Sequence, residues 1–284
     1  MLHRTGRGYL ESDFRIFHLK DVPRPAMPMH YHDFRKIMVL IDGSIRFALE
    51  DQMYSMEAGD VMLVETGTMH RAVFTEGKAF ERMLIYLSDN YFAARPGLDE
   101  LFLRAGEHQD YLLRIPAQKR DGAIAMISSL SDEACSQSRF PLLLQQSRVN
   151  EFLIELNDLA ASCSREREPA DQDGKVKEAI GYVNRHLTED LSTKKIAGSL
   201  GLSESCLSQR FRKETGLTLR SFVADKRLSR AFLNLKKGCT AAEACSLSGF
   251  TSYSSFYRAY MERYGASPKN FETVQELDDQ EPAE

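Results

Sequence analysis

"GFTSYSSFYRAYMERYGASP" occupies Gly249–Pro268, and "GLSESCLSQRFRKETGLT" occupies Gly201–Thr218. The two stretches share one grammar. Gly201 aligns with Gly249 at an offset of 48, and Gly216 with Gly265 at an offset of 49, so one residue is inserted near Tyr253. In each copy a short helix with a small apolar face (Ile196, Ala197, Leu200; Ala244, Cys245, Leu247) runs into a glycine suited to a sharp turn. An apolar residue follows (Leu202; Phe250), then Ser or Thr able to cap the next helix (Ser203; Thr251, Ser252). Thr240 and Glu243 fit a capping box at the start of the second copy. This spacing predicts two helix-turn-helix units.

On a wheel of 100° per residue, Leu207 and Phe211 share one face of the first copy's second helix, and Phe256 and Tyr260 share that of the second. Ser205, Ser208, Gln209 and Arg212 cluster elsewhere in the first copy, as do Ser254, Tyr257, Arg258 and Met261 in the second. The scaffold repeats and the display differs, as expected of two recognition helices that read different base pairs. Ser205, Ser208, Gln209, Ser254, Tyr257 and Arg258 are the candidate base contacts. Lys194, Lys195 and Arg212 are the candidate phosphate contacts. Between the copies, Leu219–Lys237 carries early apolar residues (Leu219, Phe222, Val223) on one side and late ones (Leu228, Ala231, Phe232, Leu235) almost opposite. One helix roughly 27 Å long would therefore pack on both copies and hold the recognition helices near one turn of DNA.

Charge agrees with this reading. Residues 175–272 hold 17 Lys+Arg and 9 Asp+Glu, a net of +8, whereas residues 1–174 are net −7 and the last twelve residues net −5. A basic module on an acidic body suits double-stranded DNA as the partner. No run of 18 apolar residues occurs, which argues against a membrane span, and "MLHRTGRGYLESD" has no apolar signal core. Five cysteines without a CxxC pair read as reduced thiols of a cytoplasmic protein.

Upstream, "SREREPADQDGK" (Ser164–Lys175) reads as a linker. From about Phe14 to Leu87 the pattern is strand-like: "SIRFALE" turns Ile45, Phe47 and Leu49 inward, and Asp42–Gly43 and Glu50–Gln52 sit where hairpin turns belong. From about Asp89 to Cys163 it becomes helical. Val149, Phe152, Leu153, Leu156, Leu159 and Ala160 form one stripe, open to packing on its own barrel or to a dimer interface. The expected division is residues 1–164 for a sensor and dimerisation domain, 165–174 for a linker, 175–272 for the DNA-binding domain and 273–284 for a disordered acidic tail. The fold class is two-domain α+β: a β-barrel with trailing helices, then an all-α domain with two helix-turn-helix units and a linking helix.

"IAGSLGLSESCLSQRFRKETGLT" and "GFTSYSSFYRAYMERYGASPKNF" resemble the paired helix-turn-helix units of the AraC/XylS family of transcription regulators. The second stretch carries the family's Gly-Phe, aromatic pair, Arg before an aromatic and Gly-x-Ser-Pro; Ala244 departs from it, standing where a larger aliphatic residue is usual. "MHYHDFRKIMVLIDG" and "AGDVMLVETGTMHR" resemble the two cupin motifs of that family's sensor domain. The resemblance implies a small-molecule effector bound inside the barrel, a homodimer, and RNA polymerase as a further partner. His30, His32 and His70 fall on the cupin metal-ligand positions, but Lys36 stands where the glutamate ligand would. We therefore expect these four residues to line an effector pocket, with no metal or other cofactor. An inward Lys36 would suit an effector carrying a carboxylate or phosphate. The competing readings are a metal-dependent cupin enzyme fused to a DNA-binding module, and a regulator whose sensor half binds a protein partner.

Overall fold

The computed structural model describes residues 12–21, 29–73, 79–108, 110–130, 135–162 and 174–270. Among the described residues its N-terminal half contains eight strands: β1 (Phe14–Asp21), β2 (Arg35–Asp42), β3 (Ser44–Leu49), β4 (Gln52–Glu57), β5 (Asp60–Val64), β6 (His70–Val73), β7 (Phe80–Leu87) and β8 (Leu112–Arg114). They form two antiparallel sheets, β1-β7-β2-β5-β8 and β4-β3-β6. The larger sheet is buried on both faces, and β2 shows how. Ile37 and Val39 join a core shared with the helices that follow, while Met38 and Leu40 point between the two sheets onto Phe47, Met56 and Leu84. Alternation with a period of two, covered on both sides, gives an uninterrupted apolar run. Lys36 shares its parity with Met38 and Leu40, so it enters the space between the sheets and is 5% exposed.

Glu50–Asp51 is the expected hairpin turn, since Leu49 pairs with Gln52. Asp42–Gly43 is not. β2 pairs with β5 and β7 while β3 pairs with β4 and β6, so the chain changes sheets there. The dipeptide signal marks a sharp turn but cannot say whether the next strand folds back or crosses over.

Helices α1 (Asp89–Ala93), α2 (Glu100–His108), α3 (Ala117–Ser129) and α4 (Pro141–Ser162) cover the outer face of the larger sheet. The predicted stripe on α4 packs there: Val149, Phe152, Leu153, Leu156 and Leu159 are all buried in that core, so it serves its own domain. Exposed apolar groups on or beside α4 are instead Phe140, Leu142, Leu143 and Ile154.

The C-terminal half is helical among the described residues: α5 (Gly174–Arg185), α6 (Thr193–Ser199), α7 (Glu204–Thr215), α8 (Leu219–Lys236), α9 (Ala241–Leu247) and α10 (Tyr253–Tyr264), then a 3₁₀ turn at 268–270. Most of the expected linker and all of the acidic tail lie outside the described residues, as does Cys163, and Gly174 already belongs to α5. Both predicted turn glycines have positive φ, 67° at Gly201 and 89° at Gly249, a region open to Gly at little cost. Ser203 caps α7 and Ser252 caps α10, and Thr240 and Glu243 form the predicted capping box. The seven apolar residues predicted to anchor α8 all lie in one core with Leu207 and Phe211 of the first unit and Phe256 and Tyr260 of the second. The apolar face predicted for α9 holds at Ala244 and Cys245 but not at Leu247, which is half exposed.

Candidate functional site

Two sets of side chains stand out, and one short segment joins them. The first set lies on the recognition helices. Ser205, Ser208, Gln209 and Arg212 on α7, and Ser254, Tyr257 and Arg258 on α10, are all exposed. Their apolar partners Leu207, Phe211, Phe256 and Tyr260 are fully buried. Each helix thus presents a polar face from a rigid core. Met261, placed in the outward cluster by the helical wheel, is half-buried. Lys194 and Lys195 are exposed at the start of α6, where Ser192 accepts from the Lys195 N–H; the Lys195 ammonium also lies 3.7 Å from Glu189.

The second set sits at the mouth of the sheets. His30 and His70 pair through two backbone hydrogen bonds of 3.0 and 2.8 Å, which sets their rings side by side. Ring centroids are 4.5 Å apart for His30–His70 and 5.0 Å for both His30–His32 and His32–His70. His32 stacks on Phe34 at 4.8 Å. The Lys36 ammonium lies 5.4 Å from the centre of the Tyr86 ring. All four predicted sensor residues are therefore brought together. Burial, with Lys36 and the neighbouring imidazoles, holds His32 well below the usual histidine range; burial and the charges of His30 and Lys36 do the same to His70. Both rings are neutral near pH 7. The His70 Nδ1 atom lies 2.8 Å from the Thr68 carbonyl oxygen. A carbonyl only accepts, so Nδ1 carries the proton and Nε2 keeps its lone pair. That Nε2, and both ring nitrogens of His32, are buried without a hydrogen-bond partner.

Residues 29–32 join the two sets. Met29 and Tyr31 face the helical domain and belong to its core, while His30 and His32 face the cluster. The Met29 N–H donates to the Thr215 carbonyl at the end of α7, 3.3 Å. The Tyr31 hydroxyl lies 2.5 Å from that of Tyr264 at the end of α10, and Arg263 lies over the Tyr31 ring at 4.5 Å. One extended segment therefore grips the last turn of both recognition helices. Three further contacts lock the halves together. Ser229 of α8 donates to the Gly67 carbonyl at 3.0 Å. Glu50, the one described non-glycine residue with positive φ (51°), accepts from Lys226 at 2.7 Å and from Asn184 at 3.2 Å, and it also accepts from the Met69 N–H at 2.9 Å. Lys236 reaches Asp89 at 2.9 Å. The sequence reading missed this docking surface. The available signal was alternation in "MHYH", in which both parities carry large side chains although only one can face the barrel.

Comparison with known proteins agrees with both halves. Residues 15–156 match the model of the AraC-like ligand binding domain, and residues 196–273 match that of a helix-turn-helix domain. The HTH-type transcriptional activator RhaS of Pectobacterium carotovorum is 23% identical over 254 residues, covering 87% of this chain and 88% of the relative. RhaS of Escherichia fergusonii is 23% identical over 250 residues, with coverage of 87% and 88%. Among solved structures, ToxT from Vibrio cholerae aligns over 94% of this chain and 99% of its own at 15% identity, with a TM-score of 0.38. With a sensor-type ligand-binding domain over half its length and paired helix-turn-helix units behind it, the chain belongs to the AraC/XylS family and is a DNA-binding transcription regulator with an N-terminal ligand-binding domain.

Proposed function

We propose that the protein senses its effector at His30, His32, Lys36 and His70 and transmits the result through Met29 and Tyr31 to the two recognition helices. The reading is carried by the segment 29–32, which has the sensor cluster on one face and both helix ends on the other. The exposed base-reading candidates lie away from these docked ends, so docking sets how the helices stand relative to each other and leaves their reading faces uncovered. An effector shifts that arrangement only if it binds one state more tightly than the other.

Within the complex, Ser205, Ser208, Gln209, Ser254, Tyr257 and Arg258 reach base edges, and Arg258 suits a guanine. Lys194, Lys195 and Arg212 hold phosphates. The sensor domain spans residues 1–164 and the DNA-binding domain 175–272. The cluster binds and does not catalyse, so the protein is a regulator and not an enzyme. Two copies associate through the exposed apolar groups near α4, Phe140, Leu143 and Ile154. The four described cysteines are free, which suits a reducing cytoplasm. Selection of duplexes from a random library by the full chain at low ionic strength tests the reading. A defined site pair about one helical turn apart is expected, and an absence of sequence preference would refute it.

A further inference from the structure

We infer that the chain's own acidic tail, residues 273–284, docks in a groove beside the second recognition helix and competes there with DNA. The inference goes beyond the sensor reading above and rests only on the chain's being a DNA-binding regulator. The groove has a volume of about 640 Å³. Leu235 near the end of α8, Cys239 just before α9, Ala242 within α9, Tyr253 at the start of α10 and Pro268 line it, and Lys269 stands at it too. Its walls are mostly apolar. Lys269 is exposed, as is Lys237, two residues before Cys239. An occupant that fits must bring apolar side chains together with negative charge.

The tail has that chemistry. Its sequence continues from Asn270, the last described residue and the neighbour of Lys269. "FETVQELDDQEPAE" (Phe271–Glu284) spaces Phe271, Val274 and Leu277 three apart. At 100° per residue these fall within an arc of about 120°, and Glu272, Glu276 and Asp279 fall almost opposite. Ser267 and Pro268 are residue types that open a helix, and the Asn270 N–H donates to the Ser267 carbonyl at 2.9 Å. Residues 273–284 hold five acidic side chains and no basic one, against the net +8 of residues 175–272. A segment with so few apolar residues takes its order from what it binds. Here the two are joined covalently, and a short tether gives an effective concentration on the order of millimolar, so weak docking is enough.

DNA needs the same place. In a helix-turn-helix the first helix crosses the DNA backbone while the second enters the major groove. α9 is that first helix in the second unit. Tyr253 of the groove lies beside Tyr257, a base-contact candidate, with ring centroids 6.2 Å apart, and the two are 39% and 38% exposed. A tail seated here lays carboxylates where phosphates would run and covers the aromatic pair. DNA has to displace it, which lowers affinity for every duplex by one factor. Weak non-specific complexes then fail to accumulate, while a specific site, with affinity in reserve, still binds.

The test compares the full chain with a chain stopped after Glu272, each titrated with a library-selected duplex. Removing 273–284 should tighten binding by about tenfold or more at low ionic strength, with a smaller gain at high. Val274→Ser combined with Leu277→Ser keeps every charge and should recover most of that gain. Unchanged affinity on truncation would overturn the proposal. So would a double variant that binds like the full chain, because the tail would then act by charge without the groove. A second arm needs no duplex. Val274→Cys and Leu277→Cys, made separately in the full chain and oxidised with copper phenanthroline, should yield at least one disulfide to Cys239 within a single chain, mapped by proteolysis and mass spectrometry. No bridge to Cys239 would overturn the docking, and a bridge between two chains on a non-reducing gel would overturn it in favour of a second copy's tail. The bridged chain should bind duplex more weakly than the same chain after reduction; equal affinity would overturn the competition.

Discussion

The two helix-turn-helix units, compared position by position at an offset of 49, separate scaffold from display. Ser203 and Ser252 cap, Leu207 and Phe256 fill the core, Phe211 and Tyr260 sit one turn on, and Gly216 and Gly265 close the helices in the same left-handed conformation. Ser208 against Tyr257, Gln209 against Arg258 and Arg212 against Met261 differ. The units also differ in how they are held. Gly201 has open space around it, whereas a side chain at Gly249 would meet the Leu187 carbonyl oxygen at 2.5 Å and the Thr188 Cα at 2.7 Å. Arg227 of α8 donates to the Leu187 and Glu189 carbonyls of that same stretch. The second turn is therefore clamped against the segment after α5, and the first turn meets no such neighbour. Identical local grammar can serve one turn packed against its neighbours and one turn open to solvent.

The sharpest way to break this comparison is at the two turn glycines. Gly249→Ala should cost about 3 kcal/mol or more, because positive φ and backbone overlap act together, while Gly201→Ala should cost only about 1–2 kcal/mol from φ alone. Equal shifts in urea midpoint would refute the asymmetry. The next contrast is in the display. Arg258→Ala should lose about 1–3 kcal/mol at one base position, whereas Lys194→Ala should weaken all sequences alike and flatten the salt dependence. Uniform loss for both across a site library would remove Arg258 from the base-reading set. At the docking surface, Glu50→Ala strands a buried Met69 N–H and frees Lys226 and Asn184; a loss of about 1–3 kcal/mol in stability is expected, with the duplex-selection profile retained. The smallest effect comes from Tyr31, whose burial raises its phenol above the usual tyrosine range. The unfolded phenol ionises near pH 10, so this contribution is complete below that pH and is lost above it by up to about 1.4 kcal/mol per pH unit. Tyr31→Phe should reduce the alkaline slope in a pH series of melts without removing it, because burial also raises the phenols of Tyr54, Tyr91 and Tyr260.

Much of the helical domain was legible because its signals are local. The caps, the turn glycines and the paired apolar residues of α7 and α10 each act within a few positions of the residue that announces them. Leu247 broke the pattern because α9 is two turns long, and so short a helix constrains its facing weakly. The sensor half was legible in kind and less so in connection. Asp42–Gly43 announced a turn, and only the partners of β3 showed that the chain had crossed to the other sheet. The four candidate site residues came from the resemblance to the cupin motifs; that Lys36 points inward followed from its parity with Met38 once β2 was known to be covered on both faces.

The order of the elements, the two-domain division of labour and the repeated unit with its varied polar face were determined by the amino-acid sequence alone, since periodicity, capping and turn chemistry depend on neighbours along the chain. The union of the halves was decided by tertiary structure. Tyr31 meets Tyr264 across 233 positions and Glu50 meets Lys226 across 176. No local preference encodes such pairs. They form because buried hydroxyls, carbonyls and charges removed from water must find partners wherever folding brings them.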